Sequence, residues 1–593
     1  MTSYPYGAIN LKTAREALKS FQGGIALNRA ILESWKEIAA YIHRSEKTCR
    51  RLVKELGLPV HRLEDSPKAR VFAYRDEIDG WMGNAKNLRK DEGKHSPARF
   101  FIPGFALIVL LAVGWFSWRL LLQNRPGSIK TNLRSIAVLP LENLSNDPEQ
   151  EYFVEGMHET LISELSKIKS LRIISRTSVL RYRHTTKTSR EIAKELDIDA
   201  IVEGSAIQEG GQVRITTRLI DAKSDSQLWG ERYDQDYRDV LSLWSRVAQD
   251  IAGEIKVTLS GEERARLAVT SEVDKNAYEA YLRGNYLLNR FDAESIKKSI
   301  ENFQKAIELD ADFAPAYAGL ADAYVISAIS HGTLLPEMAF PKAREAAIKA
   351  LALDTHFSPA YLSLAMTDIF YYWDWSEAEK NCQRALALTP GSSRAHQVNY
   401  YYLLMIGHHE EGLDEMIKAQ KTDPMSLIVN ADLGFALISA GRYEEAEKHL
   451  IRTLELEERF APAIWALGEA YRRQGRYDEA IACFQKAFAA SGEHPNFLGP
   501  LGLAYAEAGR KAEAQEILSR LVTGFKDHQN VSPTDIAAIY TVLGETNQGL
   551  TWLELAVDKH DPQAPWYRPD KAFRSLHRDP RFKELLKRMG FRE

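Results

Sequence analysis

Residues 441–487 read GRYEEAEKHLIRTLELEERFAPAIWALGEAYRRQGRYDEAIACFQKA. The hexamer GRYEEA at Gly441 returns as GRYDEA at Gly475, 34 residues later. Small residues late in successive helical stretches extend the register: Ala306, Ala350, Ala385, Ala419, Thr453 and Ala487, continued by Leu521 and Ala556, at spacings of 44, 35, 34, 34, 34, 34 and 35. Leu433-Gly434, Leu467-Gly468 and Leu501-Gly502 repeat in the same phase, each a pair that lets two helices approach. A helix-turn-helix unit of this size cannot bury its apolar face alone, so neighbours must stack into a solenoid.

The pattern resembles the tetratricopeptide repeat (TPR) over about Tyr278 to Val557, best in the unit with Leu467-Gly468, Tyr471, Ala480, Phe484 and Ala487. We place an all-α array over 275–558, with a degenerate unit at Ala395 to Gln420 and an insertion near Gly332 to Ala339 that accounts for the 44 spacing. The resemblance implies a protein or peptide partner on the concave face. Residues 559–593 read as a capping segment whose last helix, Pro580 to Met589, covers the end of the array.

Before the array, residues 133–258 alternate strand and helix patterns: SIAVLPL, EQEYFVEGMHETLISELSKI, LRIISR, SREIAKELDI, a hairpin about Gly210-Gly211, QLWGERYD and VLSLWSRVAQDIAGEI. Val213, Ile215, Thr217 and Leu219 alternate with Arg214, Thr216 and Arg218, which predicts one wet face on an α/β sheet. IAVLPLENLSNDPEQEYFVEGM (Ile136 to Met157), ISRTSVLRY (Ile174 to Tyr182) and Ile201 to Tyr233 resemble the TolB amino-terminal-like domain, which implies an interaction module. Its chemistry is sparse. His158-Glu159 lacks the second histidine of a zinc-binding HExxH helix, and no glycine-rich phosphate loop follows a strand. Glu142, Asn143, Asp147 and Glu155 surround a strand-to-helix loop and read as turn and capping chemistry.

Residues 1–99 carry +7 and the remainder −11, so the net charge of −4 hides two oppositely charged parts. In the basic part, after an extension at 1–31, Ser34 and Ser45 are N-cap candidates for helices at Trp35 to Ile42 and Glu46 to Leu56, the second stopped by Gly57. Cys49, Leu52, Val53 and Leu56 form an apolar stripe, and Lys47, Arg50, Arg51 and Lys54 fall opposite. Strands at Val60 to Leu63 and Ala69 to Tyr74, around a polar turn, and a helix at Asp76 to Met82 complete the order of a wing. SWKEIAAYI, SEKTCRRLVKELGLPVHRL and RVFAYRDEIDGWM resemble the MerR or excisionase type of winged helix-turn-helix, over 32–84. The resemblance implies double-stranded DNA as partner, with Lys47, Thr48, Arg50 and Arg51 facing the groove, beside Lys54, and Arg62, Lys68 and Arg70 on the phosphate backbone. His61 is a weaker candidate.

A basic linker at 85–99 leads to 23 residues, Phe100 to Leu122, without a charge until Arg119. At 1.5 Å per residue they match a hydrocarbon core of roughly 30 Å, with Phe100, Trp115 and Trp118 as interfacial aromatics. The expected fold class is therefore multidomain: winged helix-turn-helix, one transmembrane helix, α/β domain and TPR solenoid. The expected location is the inner membrane, amino terminus cytoplasmic and the carboxy-terminal region extracytoplasmic.

This organisation predicts a membrane-anchored transcriptional regulator whose outer region senses a partner and whose DNA-binding parts pair as a homo-oligomer. The rival is an envelope interaction scaffold whose helix-turn-helix binds no DNA. Neither a nucleophile-base set nor a cofactor loop stands out, so the chain is expected not to be an enzyme and to need no cofactor. Three cysteines exclude a disulfide framework, and His408-His409 has no spaced third ligand for a metal.

Overall fold

The computed structural model describes residues 30–62, 71–88, 133–145 and, with short interruptions, 147–591. The chain divides into two compact units, 1–128 and 129–593.

In the first unit two short helices, Trp35–Tyr41 and Glu46–Leu56, are each started by a serine whose hydroxyl accepts a backbone N–H: Ser34 from Glu37 and Ser45 from Thr48, both at 3.2 Å. Gly57, at φ +63°, ends the second. An antiparallel sheet follows in the order Ile31–Leu32, Val71–Tyr74, His61–Arg62, and the helix Arg75–Leu88 closes the unit. The strand Ile31–Leu32 and the length of the last helix go beyond the sequence reading. Ile38, Cys49, Leu58, Val71, Ala73 and Ile78 form the core.

The second unit begins with a six-stranded sheet ordered Arg172–Ile173, Ser135–Val138, Ala200–Glu209, Gln212–Asp221, Ser226–Asp236, with Glu142–Asn143 also paired to Ala200–Glu209. The first three strands on this path are parallel and the last three antiparallel. Val213, Ile215, Thr217 and Leu219 are buried while Arg214 and Arg218 are exposed, the one wet face that alternation predicts. Helices Glu151–Ser166 and Val240–Glu254 pack together, the Trp244 indole N–H 3.2 Å from Met157 Sδ.

From Lys275–Leu288 to Thr546–Asp558 the chain runs in antiparallel helix pairs. The phase-marking residues Ala306, Ala350, Ala385, Ala419, Thr453, Ala487, Leu521 and Ala556 are all buried. First helices such as Leu427–Ser439 are buried on nearly all sides because they lie between neighbouring pairs, whereas second helices such as Tyr443–Leu456 turn a charged face to solvent. A Cβ at Gly468 would lie 2.8 Å from Phe484, so only glycine lets these helices meet. The array curls back onto the sheet domain at residues 421–425. There the Ser175 N–H donates to the Thr422 carbonyl (2.8 Å), and the Ser178 hydroxyl donates to Asp423 (2.6 Å) while accepting the Met425 N–H (2.9 Å).

The expected fold class needs correction. The architecture is a mostly helical TPR-like solenoid with a small sheet domain, and no helix among the described residues is long and apolar enough to cross a membrane. The physical reason is visible in Pro336–Leu353, at 18 residues a long member of the array: Glu337, Lys342, Arg344, Glu345 and Lys349 put a charge on almost every turn. The predicted span Phe100 to Leu122 lies outside the described residues. The single-pass inner-membrane location, with its cytoplasmic and extracytoplasmic sides, is therefore not upheld.

Candidate nucleic-acid interface and concave groove

In the first unit the helix Glu46–Leu56 buries Cys49 and half-buries Leu52 and Val53, which turns Lys47, Arg50, Arg51 and Lys54 outward, all exposed. Its capped N-terminus concentrates positive dipole at the end nearest Lys47. The Arg50 guanidinium lies 5.1 Å above the Trp35 ring and 3.8 Å from Glu46, an arrangement that spreads it between the two helices. Thr48 is different: its hydroxyl sits 2.9 Å from Ser45 Oγ and belongs to the cap. Arg44, exposed in the inter-helix turn, is a further cation that the spacing argument missed because it precedes the helix.

Arg62 stands on a strand opposite Val71. Lys68 and Arg70 lie outside the described residues. His61 is bound into the fold, with Nε2 2.7 Å from Glu77 and its ring stacked on Phe72 at 5.3 Å. The structure thus brings Lys47, Arg50, Arg51 and Lys54 onto one helix face.

In the sheet domain the loop residues make internal bonds. Asn143 accepts from the Ser145 N–H (2.9 Å) and donates to the Asp147 carbonyl (3.1 Å), while Glu155 pairs with Arg176 at 2.6 Å and Arg183 at 2.9 Å. His158 is buried, donates Nε2–H to the Val138 carbonyl at 2.8 Å, and is held neutral: burial lowers its pKa to about 4. Among the described residues no group of histidine, cysteine, aspartate and glutamate could hold a metal ion.

The array's first helices line a groove containing a cavity of about 750 Å³. Its walls include Phe370, Tyr401, Phe435 and Trp465, and Tyr401 OH and Gln397 Nε2 each donate to Asp432 at 2.6 Å. Burial nevertheless pushes that carboxyl up to about 6. The segment after Asp558 does more than cap the last pair, because it returns across this groove. His560 Nδ1–H donates to the Tyr371 carbonyl at 2.7 Å, Trp566 stands against Phe370 (6.2 Å) and Phe435 (5.5 Å), and Phe591 stacks on Trp375 at 4.9 Å.

At the centre Arg472, 3% exposed, holds three carboxylates. Its Nε meets Glu469 at 2.7 Å, Nη1 meets Glu507 at 2.7 Å and Nη2 meets Asp570 of the returning segment at 2.6 Å. Charges inside otherwise apolar first helices, as in ALGEAYRR (Ala466 to Arg473), were the available signal for this site.

Residues 132–251 match the family described as HilA/YgeH-like transcriptional regulator, second domain, and residues 459–527 match the tetratricopeptide repeat. The chain is 34% identical over 187 residues to a protein of Rhizobium meliloti (strain 1021) named putative adenylate cyclase 3, a match covering 32% of each chain. The chain thus spans about a third of the length of that curated relative. Among solved structures the array is similar to PilW, a widely conserved type IV pilus biogenesis factor, at 20% identity, 38% of this chain, 98% of that one and a TM-score of 0.31. YrrB, a TPR protein with an unusual peptide-binding site, is similar at 19% identity over 33% and 95%, with a TM-score of 0.24.

One expectation changes here. The reading that the chain is not an enzyme is overturned by the Rhizobium relative, whose name is that of an enzyme; the sequence argument rested on the lack of a familiar motif, which does not exclude catalysis.

Proposed function

We propose that the chain is a transcription regulator that binds double-stranded DNA through the helix Glu46–Leu56 and a protein or peptide partner through its helical array. The finer reading of the first unit is a winged helix-turn-helix of the MerR or excisionase kind, and that of the sheet domain a TolB amino-terminal-like module. The observation that carries the DNA reading is the exposed basic face Lys47, Arg50, Arg51 and Lys54 on the second helix of a capped helix-turn-helix. Such a helix enters a major groove by its amino-terminal half. The similarity of residues 132–251 to a regulator domain supports the same role. Arg62, Lys68 and Arg70 would add contacts to the phosphate backbone.

The test is binding of the full chain to genomic DNA fragments across a salt series. Replacing Arg50 and Arg51 by alanine removes two cations that displace condensed counterions when the helix lies in the groove, and is expected to lower the slope of log K against log salt by up to about 0.9 for each. Binding with no salt dependence, or a slope unchanged in the double variant, would overturn the assignment.

A further inference from the structure

The returning segment shows what the groove accepts, because it makes contacts of two chemically distinct kinds there. Trp566 enters between Phe370, Tyr401 and Phe435, with ring centroids 5.5 to 6.4 Å apart. Four residues on, Asp570 reaches Arg472 at 2.6 Å and Arg473 at 3.4 Å. These two anchors come from a segment with little regular structure of its own: short 3-10 turns at Ala564–Tyr567 and Lys571–Leu576. The docking point upstream is itself unusual. The helix widens to i→i+5 bonding over Asp368–Tyr372 and ends at Trp373 with φ +53°, a left-handed conformation rare for a bulky side chain, and His560 stacks on that indole at 4.9 Å.

Replacing the segment would not strand the groove's charges. Without Asp570, Arg472 keeps Glu469 and Glu507, and an incoming carboxylate restores the third pair. A cavity of about 750 Å³ beside Trp566 leaves room for side chains that the segment does not supply.

We propose that the concave face recognises a peptide presenting an aromatic side chain and, about four residues later, a carboxylate, and that the chain's own Trp566 and Asp570 hold this site in cis until such a partner displaces them. The inference rests on the reading of the array as a peptide-binding surface and is independent of the DNA reading.

The probe is a labelled synthetic peptide of residues 562–574 of this chain, PQAPWYRPDKAFR. Fluorescence anisotropy compares the full wild-type chain with a full-length Trp566→Ala, Asp570→Asn variant whose helical circular dichroism matches wild type. The variant is expected to bind the peptide at least ten-fold more tightly, and a peptide carrying the same two replacements is expected not to bind. Equal binding to both chains would remove the cis occupancy and leave peptide recognition standing. Absence of binding to either chain at saturating peptide would instead overturn recognition itself.

A second measurement needs no variant. Peptide raised to several times the millimolar effective concentration of the tethered segment should raise hydrogen exchange of Lys571–Leu576 in the wild-type chain, with the doubly replaced peptide inert; unchanged exchange under both would refute displacement.

Discussion

Replacing Arg472 by methionine keeps a shorter, unbranched apolar stem and removes the charge from among Glu469, Glu507 and Asp570. Breaking a buried ion pair from one side costs about 3–5 kcal/mol, since the partner is left charged and desolvated. The electrostatics of the Glu469 carboxyl lead to a similar figure. Burial pushes its pKa up, but Arg472 and Arg473 outweigh burial and bring it from 4.5 down to about 2. At 1.36 kcal/mol per unit this difference is worth about 3 kcal/mol. Arg473 remains 2.6 Å from Glu469, so the lower end of the range is expected. The sign follows from a folded pKa below the unfolded one: the stabilisation is present above pH 4.5 and is lost as the pH falls toward 2. In Arg472→Met the stranded carboxylates prefer to be protonated, so the deficit should shrink on acidification. Urea unfolding of the full chain at pH 7 and pH 3.5, followed by tryptophan fluorescence, reads both effects. A loss below about 1 kcal/mol at pH 7, or an equal loss at both pH values, would show that the cluster is not coupled as its geometry requires.

Three further outcomes follow from single residues. His158→Gln keeps a donor for Val138 and removes an imidazole whose pKa burial lowers from 6.5 to about 4. The unfolded chain takes up that proton first, so wild type should lose about 3 kcal/mol between pH 6.5 and 4 from this group and the variant should not; identical pH profiles would contradict it. Gly468→Ala forces a Cβ to 2.8 Å from the buried Phe484 ring, and overpacking of about 1–3 kcal/mol should outweigh the roughly 1 kcal/mol gained in helix propensity, giving a lower thermal midpoint. Ser45→Ala removes the cap of Glu46–Leu56 and should cost about 1 kcal/mol, read as roughly five-fold faster amide exchange in that helix; unchanged exchange would assign the hydroxyl no role.

Periodicity made the helical array legible. A buried residue, most often alanine, every 34 or 35 residues from Ala350 onward, and glycine opposite Phe484, are local consequences of stacking, and they repeat because the stacking repeats. Ser34, Ser45 and Gly57 marked helix ends for an equally local reason, the pairing of terminal backbone groups. The two-residue strand Ile31–Leu32 was invisible because alternation needs more residues than it has. The groove was hidden differently. His560 meets Tyr371 across 189 positions, and Trp375 meets Met589 across 214, only because curvature accumulates through several helix pairs. Glu469 and Arg472 could be seen as charges in an apolar helix, but their partner Asp570 sits in a segment with no helical period at all.

That return also changes how the array should respond to a partner. A solenoid is nearly one-dimensional, each repeat touching only its neighbours; here His560, Trp566, Asp570 and Phe591 bind the last part of the chain to helices well before it, between Asp368 and Arg473. The segment starts at the residue after Asp558, so it competes at the millimolar effective concentration of a short tether. A free peptide with only the same two anchors meets that disadvantage in full. What can reverse it is surface that the segment does not use: each 100 Å² of apolar area buried in the 750 Å³ cavity adds about 2.5 kcal/mol, more than the 1.4 kcal/mol of one decade in affinity. Selectivity for a partner over the chain's own segment therefore resides in the aromatic wall beside Trp566, while the Arg472 cluster, which both would satisfy equally, sets register.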